Sequence, residues 1–66
     1  MKTLDFHTDI LPMKDRLFRL ALSITLDRTE AEDITQETLV RVWERRKEWP
    51  QIENIQAWCM TIARRL

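Results

Sequence analysis

The sequence predicts an all-α fold, a compact three-helix bundle, and three observations carry that expectation. The 66-residue chain contains no Gly and only two Pro, which removes the Gly and Asn-Gly turns on which hairpin-rich β folds depend. Apolar residues recur at helical spacing in three separate stretches. Capping and stop residues separate one stretch from the next. A chain of this size forms one domain at most and buries only ~60% of its unfolded surface.

The first helical stretch runs from residue 9 or 11 to 26. Ile10, Met13, Leu17, Leu20, Ala21 and Ile24 form its stripe. Leu11, Phe18 and Leu22 widen that stripe, so this helix should be covered on more than one side. Pro12 suits a first turn, where its missing N–H loses nothing, and the residues before it allow a short extra N-terminal helical turn. The second stretch follows Leu26-Asp27-Arg28. Thr29 as N-cap and Glu32 at N3 read as a capping box. Glu30, Glu32 and Asp33 crowd its first turn and Arg45, Arg46 and Lys47 its last, as the helix dipole favours. Pro50 predicts an end near Trp49. The third stretch opens at Asn54, a good N-cap, with Ile55, Trp58, Cys59, Ile62 and Leu66 on one stripe. No breaker follows Leu66, which predicts that residues 1–66 are a single domain cut within its last helix from a longer protein. Trp43, Trp49 and Trp58 are expected to supply much of the core.

Hydrophobic residues make up 44% of the chain and charged residues 33%, a globular balance and not a disordered one. The longest apolar run is a few residues, too short for a transmembrane helix, and residues 1–6 lack a signal-peptide core. A single Cys precludes an internal disulfide and fits a reducing cytoplasm. Cys59 and His7 alone cannot make a four-ligand zinc site. Glu32, Asp33 and Glu37 are neighbouring carboxylates on a helix start with no evident cleft. The expectation is a cytoplasmic, non-enzymatic domain with no cofactor, no metal and no membrane contact. The net charge is zero but unevenly spread. Residues 1–38 carry five basic and eight acidic groups, net −3, and residues 39–66 six basic and three acidic groups, net +3. A basic end suits nucleic acid and equally suits ordinary charge at helix C-termini.

A helical wheel divides the second helix. Ala31, Ile34, Thr35, Thr38, Leu39, Val42 and Trp43 share the core side. Asp33, Gln36, Glu37, Val40, Arg41, Glu44 and Lys47 share the other. Val40 stands alone among polar groups there. A solitary exposed apolar residue is ordinary; the alternative is a docking face with Val40 at its centre. On the third helix Ala57, Thr61 and Arg64 point outward with Arg65 on their flank. This is either a solvated face or a small-residue surface that a phosphate backbone approaches.

These residues form a connected string. Leu17-Phe18-Arg19-Leu20-Ala21 is followed by Ala31-Glu32-Asp33-Ile34-Thr35-Gln36-Glu37-Thr38-Leu39-Val40-Arg41-Val42-Trp43. Then comes Ala57-Trp58-Cys59-Met60-Thr61-Ile62-Ala63-Arg64-Arg65-Leu66. The string, in this order and from about residue 9 to the end, resembles conserved region two of extracytoplasmic-function (ECF) sigma factors, the small alternative sigma subunits of bacterial RNA polymerase. The resemblance implies a transcription-initiation role. It assigns Asp33, Gln36 and Glu37, with Val40 and Arg41 beside them, to docking on the clamp-helix coiled coil of the polymerase β′ subunit. It assigns the loop from Glu48 to Asn54 (Glu48, Trp49, Gln51, Glu53 and Asn54) to the non-template strand of the promoter minus-ten element, where a flipped base is captured. Arg64 and Arg65 would contact backbone phosphates. Thr61 and Ile62 stand where housekeeping sigma factors carry an aromatic wedge, so base capture by the loop is the implied route to opening. The resemblance also admits an anti-sigma factor covering the docking face.

The competing reading is a sigma-like protein-interaction module that binds a regulator without touching DNA, and zero net charge suits it. A solvent-open pocket beside Arg64 and Arg65 would favour base capture. A loop filled by Trp49 and Ile52 would remove its site.

Overall fold

The computed structural model describes residues 5–66, so most of the stretch 1–6, read above as lacking a signal-peptide core, lies outside the described residues. Every regular element of the described residues is helical: α1 spans Lys14–Thr25, α2 Arg28–Glu44 and α3 Ile55–Arg64. The extra N-terminal helical structure is present as a wide π-type turn at Phe6–Ile10 and a 3₁₀ turn at Leu11–Met13. Pro12 lies at the start of that 3₁₀ turn, so the regular α-helix begins only at Lys14. The Asp5 carboxylate opens the segment by accepting the His7 backbone N–H at 2.9 Å.

One residue reverses the chain between α1 and α2. Leu26 takes the left-handed conformation (φ 55°, ψ 28°) and its N–H closes α1 on the Leu22 carbonyl at 2.8 Å. The next helix therefore starts at once, and its cap differs from the expected Thr29–Glu32 box. Asp27, extended at φ −140° and ψ 120°, accepts the Glu30 N–H at 3.1 Å. Asp27 is the first side chain after the reversal that can reach an orphan N–H of the new helix.

The end of α2 also departs from expectation. It stops at Glu44, and Arg46–Gln51 winds as a 3₁₀ segment that contains Pro50. Proline disfavours α geometry at the residue before it, and Trp49 turns inward there. Its indole Nε1 donates to the Val42 carbonyl at 3.0 Å. That carbonyl belongs to the last turn of α2, where intrahelical partners run out.

The core is built by Ile10, Met13, Leu17, Val42, Trp49, Cys59, Ile62 and Ala63. Of the three tryptophans only Trp49 is buried. Trp58 is half-buried, and Trp43 is 46% exposed, which corrects the expectation that Trp43 is a core residue. Phe6 meets Trp43 edge-on at 5.3 Å and covers part of it. The most extensive helix–helix seam lies between α1 and α2, and small buried residues line it: Ala21, Ala31, Thr35 and Thr38. The two threonine hydroxyls donate within their own helix, to the Ala31 carbonyl at 2.7 Å and the Ile34 carbonyl at 2.6 Å. Ile24 and Leu66, placed on apolar stripes by periodicity, are 59% and 42% exposed. Among the described residues no helix is long and apolar enough to cross a membrane.

Three stability predictions follow from this packing. Trp49→Ala should cost ~3–5 kcal/mol in a denaturant titration, and Trp43→Ala clearly less, since half its ring is already in water. Leu26→Gly should raise the melting temperature by a few degrees. Relief of a left-handed non-Gly residue (about 1–2 kcal/mol) outweighs the added chain entropy of Gly (about 0.5–1 kcal/mol), and Leu26 is 84% exposed, so little burial is lost. Burial pushes the Cys59 thiol from 9.0 up to about 11. The unfolded thiol then ionises first, so its contribution to stability is complete below pH 9.0 and is lost as pH rises through about 11. A pH series of denaturation midpoints should show that loss in the native sequence and lack it in Cys59→Ala.

Candidate functional site

The outer face of α2 carries Asp33, Gln36, Glu37, Val40 and Arg41, all exposed. Helical periodicity placed them together, and the structure agrees. Glu37 and Arg41, one turn apart, pair at 3.3 Å with both side chains about half exposed. Val40 is 52% exposed in the middle of the face. The face thus combines a carboxylate, an amide and an ion pair around one desolvatable apolar contact.

The face does not stop at Val40. It runs into an open apolar groove of about 980 Å³ walled by Phe6, Leu39, Val40, Trp43 and Trp49. Arg46 lies on the rim with its guanidinium 4.5 Å from the centre of the Trp43 ring. Sequence reasoning missed this groove because it assigned Trp43 to the core. The available signal was position: Trp43 lies one turn after Val40, at the border between the two faces.

The second candidate surface lies at the far end of α2. Glu48, Gln51, Glu53 and Asn54 are exposed. Asn54 caps α3 as expected, its side-chain oxygen accepting the Ala57 N–H at 3.1 Å. Trp49 is buried, with its indole N–H held by Val42, and the edge it shows lines the apolar groove. Ile52 also packs on the core. The inner side of the loop is therefore filled by Trp49 and Ile52.

An open pocket exists next door. About 260 Å³ in volume, it lies between the ends of α2 and α3, lined by Arg41, Glu44, Arg45, Ile62, Arg65 and Leu66. Three arginines thus meet at one opening. Arg64 is exposed but lines a different groove, of about 430 Å³, together with Asp33, Ile34 and Ala63. Successive helical residues diverge by about 100°, and the structure separates Arg64 from Arg65 accordingly. Thr61 is exposed with its hydroxyl on the Ala57 carbonyl at 2.9 Å, and Ile62 is buried.

Arg45 is the most structured of the three arginines. Its Nε and Nη2 donate to the two Glu48 carboxylate oxygens at 2.7 and 2.9 Å. The guanidinium lies 5.3 Å from the centre of the Trp58 ring. Hydrogen bonding to Glu48, reinforced by its charge, raises the Arg45 pKa, and hydrogen bonding to Arg45 holds the Glu48 carboxyl below its ordinary value. Both side chains remain about half exposed. Among the described residues no group of three or more His, Cys, Asp or Glu side chains is arranged to hold a metal ion.

Residues 10–66 match the family model of sigma-70 region 2. Curated relatives include the ECF RNA polymerase sigma factor SigL of three strains of Mycobacterium tuberculosis, each 38% identical over 55 residues. Each match covers 76% of this chain and 29% of the relative, so the chain spans less than a third of the length of the relatives it matches. No solved structure matches the chain significantly.

Proposed function

Since the chain belongs to the sigma-70 region 2 family, we propose that it acts in bacterial transcription initiation, docking on RNA polymerase through the outer face of α2. The observation that carries this reading is the exposure of Asp33, Gln36, Glu37, Val40 and Arg41 on one side of a single seventeen-residue helix, within the stretch the family model covers. The partner surface is the clamp-helix coiled coil of the β′ subunit. Carboxylate and amide groups pair with arginines of such a helix through directed hydrogen bonds. Val40 and the adjoining Trp43 groove take its apolar side chains, and a tryptophan at the edge of a docking face is a natural energetic anchor.

Promoter DNA, the non-template strand of the minus-ten element, meets the surface where the ends of α2 and α3 come together, which shares Arg41 with the α2 face. The pocket lined by Arg41, Arg45 and Arg65 replaces the filled loop interior as the place for an extruded base or its phosphates. Gln51 and Glu53 are exposed in the segment before α3. An anti-sigma factor would act by covering the α2 face. The second reading, a sigma-like module that binds a regulator and no DNA, is favoured by the filled loop.

Binding of the domain to an isolated β′ clamp-helix fragment tests the docking reading. Gln36→Ala and Glu37→Ala should each weaken it several-fold with no change in the melting temperature, because both side chains face outward. Trp43→Ala should weaken it more. Unchanged affinity in all three variants would overturn the assignment of this face.

A further inference from the structure

We infer that Glu48 holds, on the Arg45 guanidinium, the place of a nucleic-acid phosphate, so that Arg45 is a phosphate-binding residue and Glu48 is displaced when a strand docks. This rests on the reading of the α2–α3 pocket as the DNA-facing end and deepens it. Glu48 thereby changes role: it competes with the strand for Arg45 and makes no contact to it.

Geometry is the first argument. Arg45 engages Glu48 by two parallel hydrogen bonds, 2.7 and 2.9 Å, to two oxygens of one anion. The two non-bridging oxygens of a phosphodiester present the same fork. Accessibility is the second. Both side chains are about half exposed, and ion pairs so open to solvent are weakly held and readily exchanged.

The third argument is what remains when Glu48 leaves. Trp58 keeps its ring against the guanidinium, 5.3 Å from centre to carbon, so Arg45 stays oriented by a contact that does not involve Glu48. Arg45 also lines the pocket that Arg41 and Arg65 share. Glu44 lines the same pocket and Arg41 is paired with Glu37, so the further cation that an anion at Arg45 meets there is Arg65, whereas Glu48 hydrogen-bonds Arg45 alone.

The fourth is the position of Glu48 in the chain. It lies in the first turn of the 3₁₀ segment after α2, three residues from Arg45, so the pair opens by side-chain rotation without moving α2 or α3. In the free domain this pair masks one positive charge of the pocket, which keeps a basic site from collecting polyanions indiscriminately.

The test is fluorescence anisotropy of a labelled single-stranded DNA oligonucleotide with the full 66-residue chain across a salt series. Glu48→Gln should tighten binding several-fold and steepen the salt dependence by about one released counterion. The gain should vanish in an Arg45→Ala background, since the freed guanidinium is its source. A gain that persists with Arg45→Ala would be simple loss of repulsion and would overturn the inference, as would weaker or unchanged binding by Glu48→Gln. Arg65→Ala checks the underlying reading separately. If it leaves binding untouched while the Glu48–Arg45 coupling is present, the pocket assignment fails and the phosphate role of Arg45 stands. Absence of binding by every variant at low salt overturns both.

Discussion

The hydrogen bond from the Trp49 indole to the Val42 carbonyl is the contact on which the two surfaces depend. It draws the segment after α2 back onto the last turn of that helix and places the Trp49 ring in one core cluster with Ile10, Met13, Leu17 and Ile62. With Trp49 inside, the 3₁₀ segment has only one course, and Asn54 is delivered where it can cap α3. The ends of α2 and α3 then lie side by side, which brings Arg41, Arg45 and Arg65 to one opening. The same inward turn leaves Trp43 outside, as a wall of the apolar groove. One indole thus ties the segment that leads to α3 to the helix that carries the apolar groove.

Much of the fold was legible in the sequence because helical periodicity is a strong signal. The three helices, the additional N-terminal turn, Asn54 as a cap and the buried positions Leu17, Ala21, Val42 and Cys59 all follow from spacing. What was not legible depends on chain reversal and on choices between similar residues. Asp27 and Thr29 are both competent caps, and the single left-handed residue at Leu26 decides for Asp27. Trp43 and Trp49 are chemically alike, six residues apart near one helix end. Only the break forced before Pro50 turns one inward and the other outward.

The two surfaces differ in the same way. The α2 face belongs to one helix, so a wheel drawn from sequence finds it. Family membership supports its assignment to a partner. The arginine pocket joins residues in the forties to residues in the sixties, and the groove joins Phe6 to Trp43. No local pattern encodes either. Adjacent Arg64 and Arg65 look like one cationic pair in the sequence, yet helical geometry sends them to separate grooves. The family resemblance marks the loop as a recognition element, and the inward packing of Trp49 and Ile52 is settled by tertiary contacts that its order of residues leaves open.

The seam of Ala21, Ala31, Thr35 and Thr38 has a thermodynamic consequence for recognition. Small side chains let the α1 and α2 backbones approach closely, and the two hydroxyls satisfy themselves inside α2 without needing a neighbour or a water. The helix is therefore backed along its length by short, rotamer-poor contacts. Little conformational freedom remains in its backbone to be lost when a partner arrives. A surface made of flexible Glu, Gln and Arg side chains is in this way mounted on a stiff support, and the entropy lost on complex formation falls on a few side-chain torsions and not on the helix that presents them.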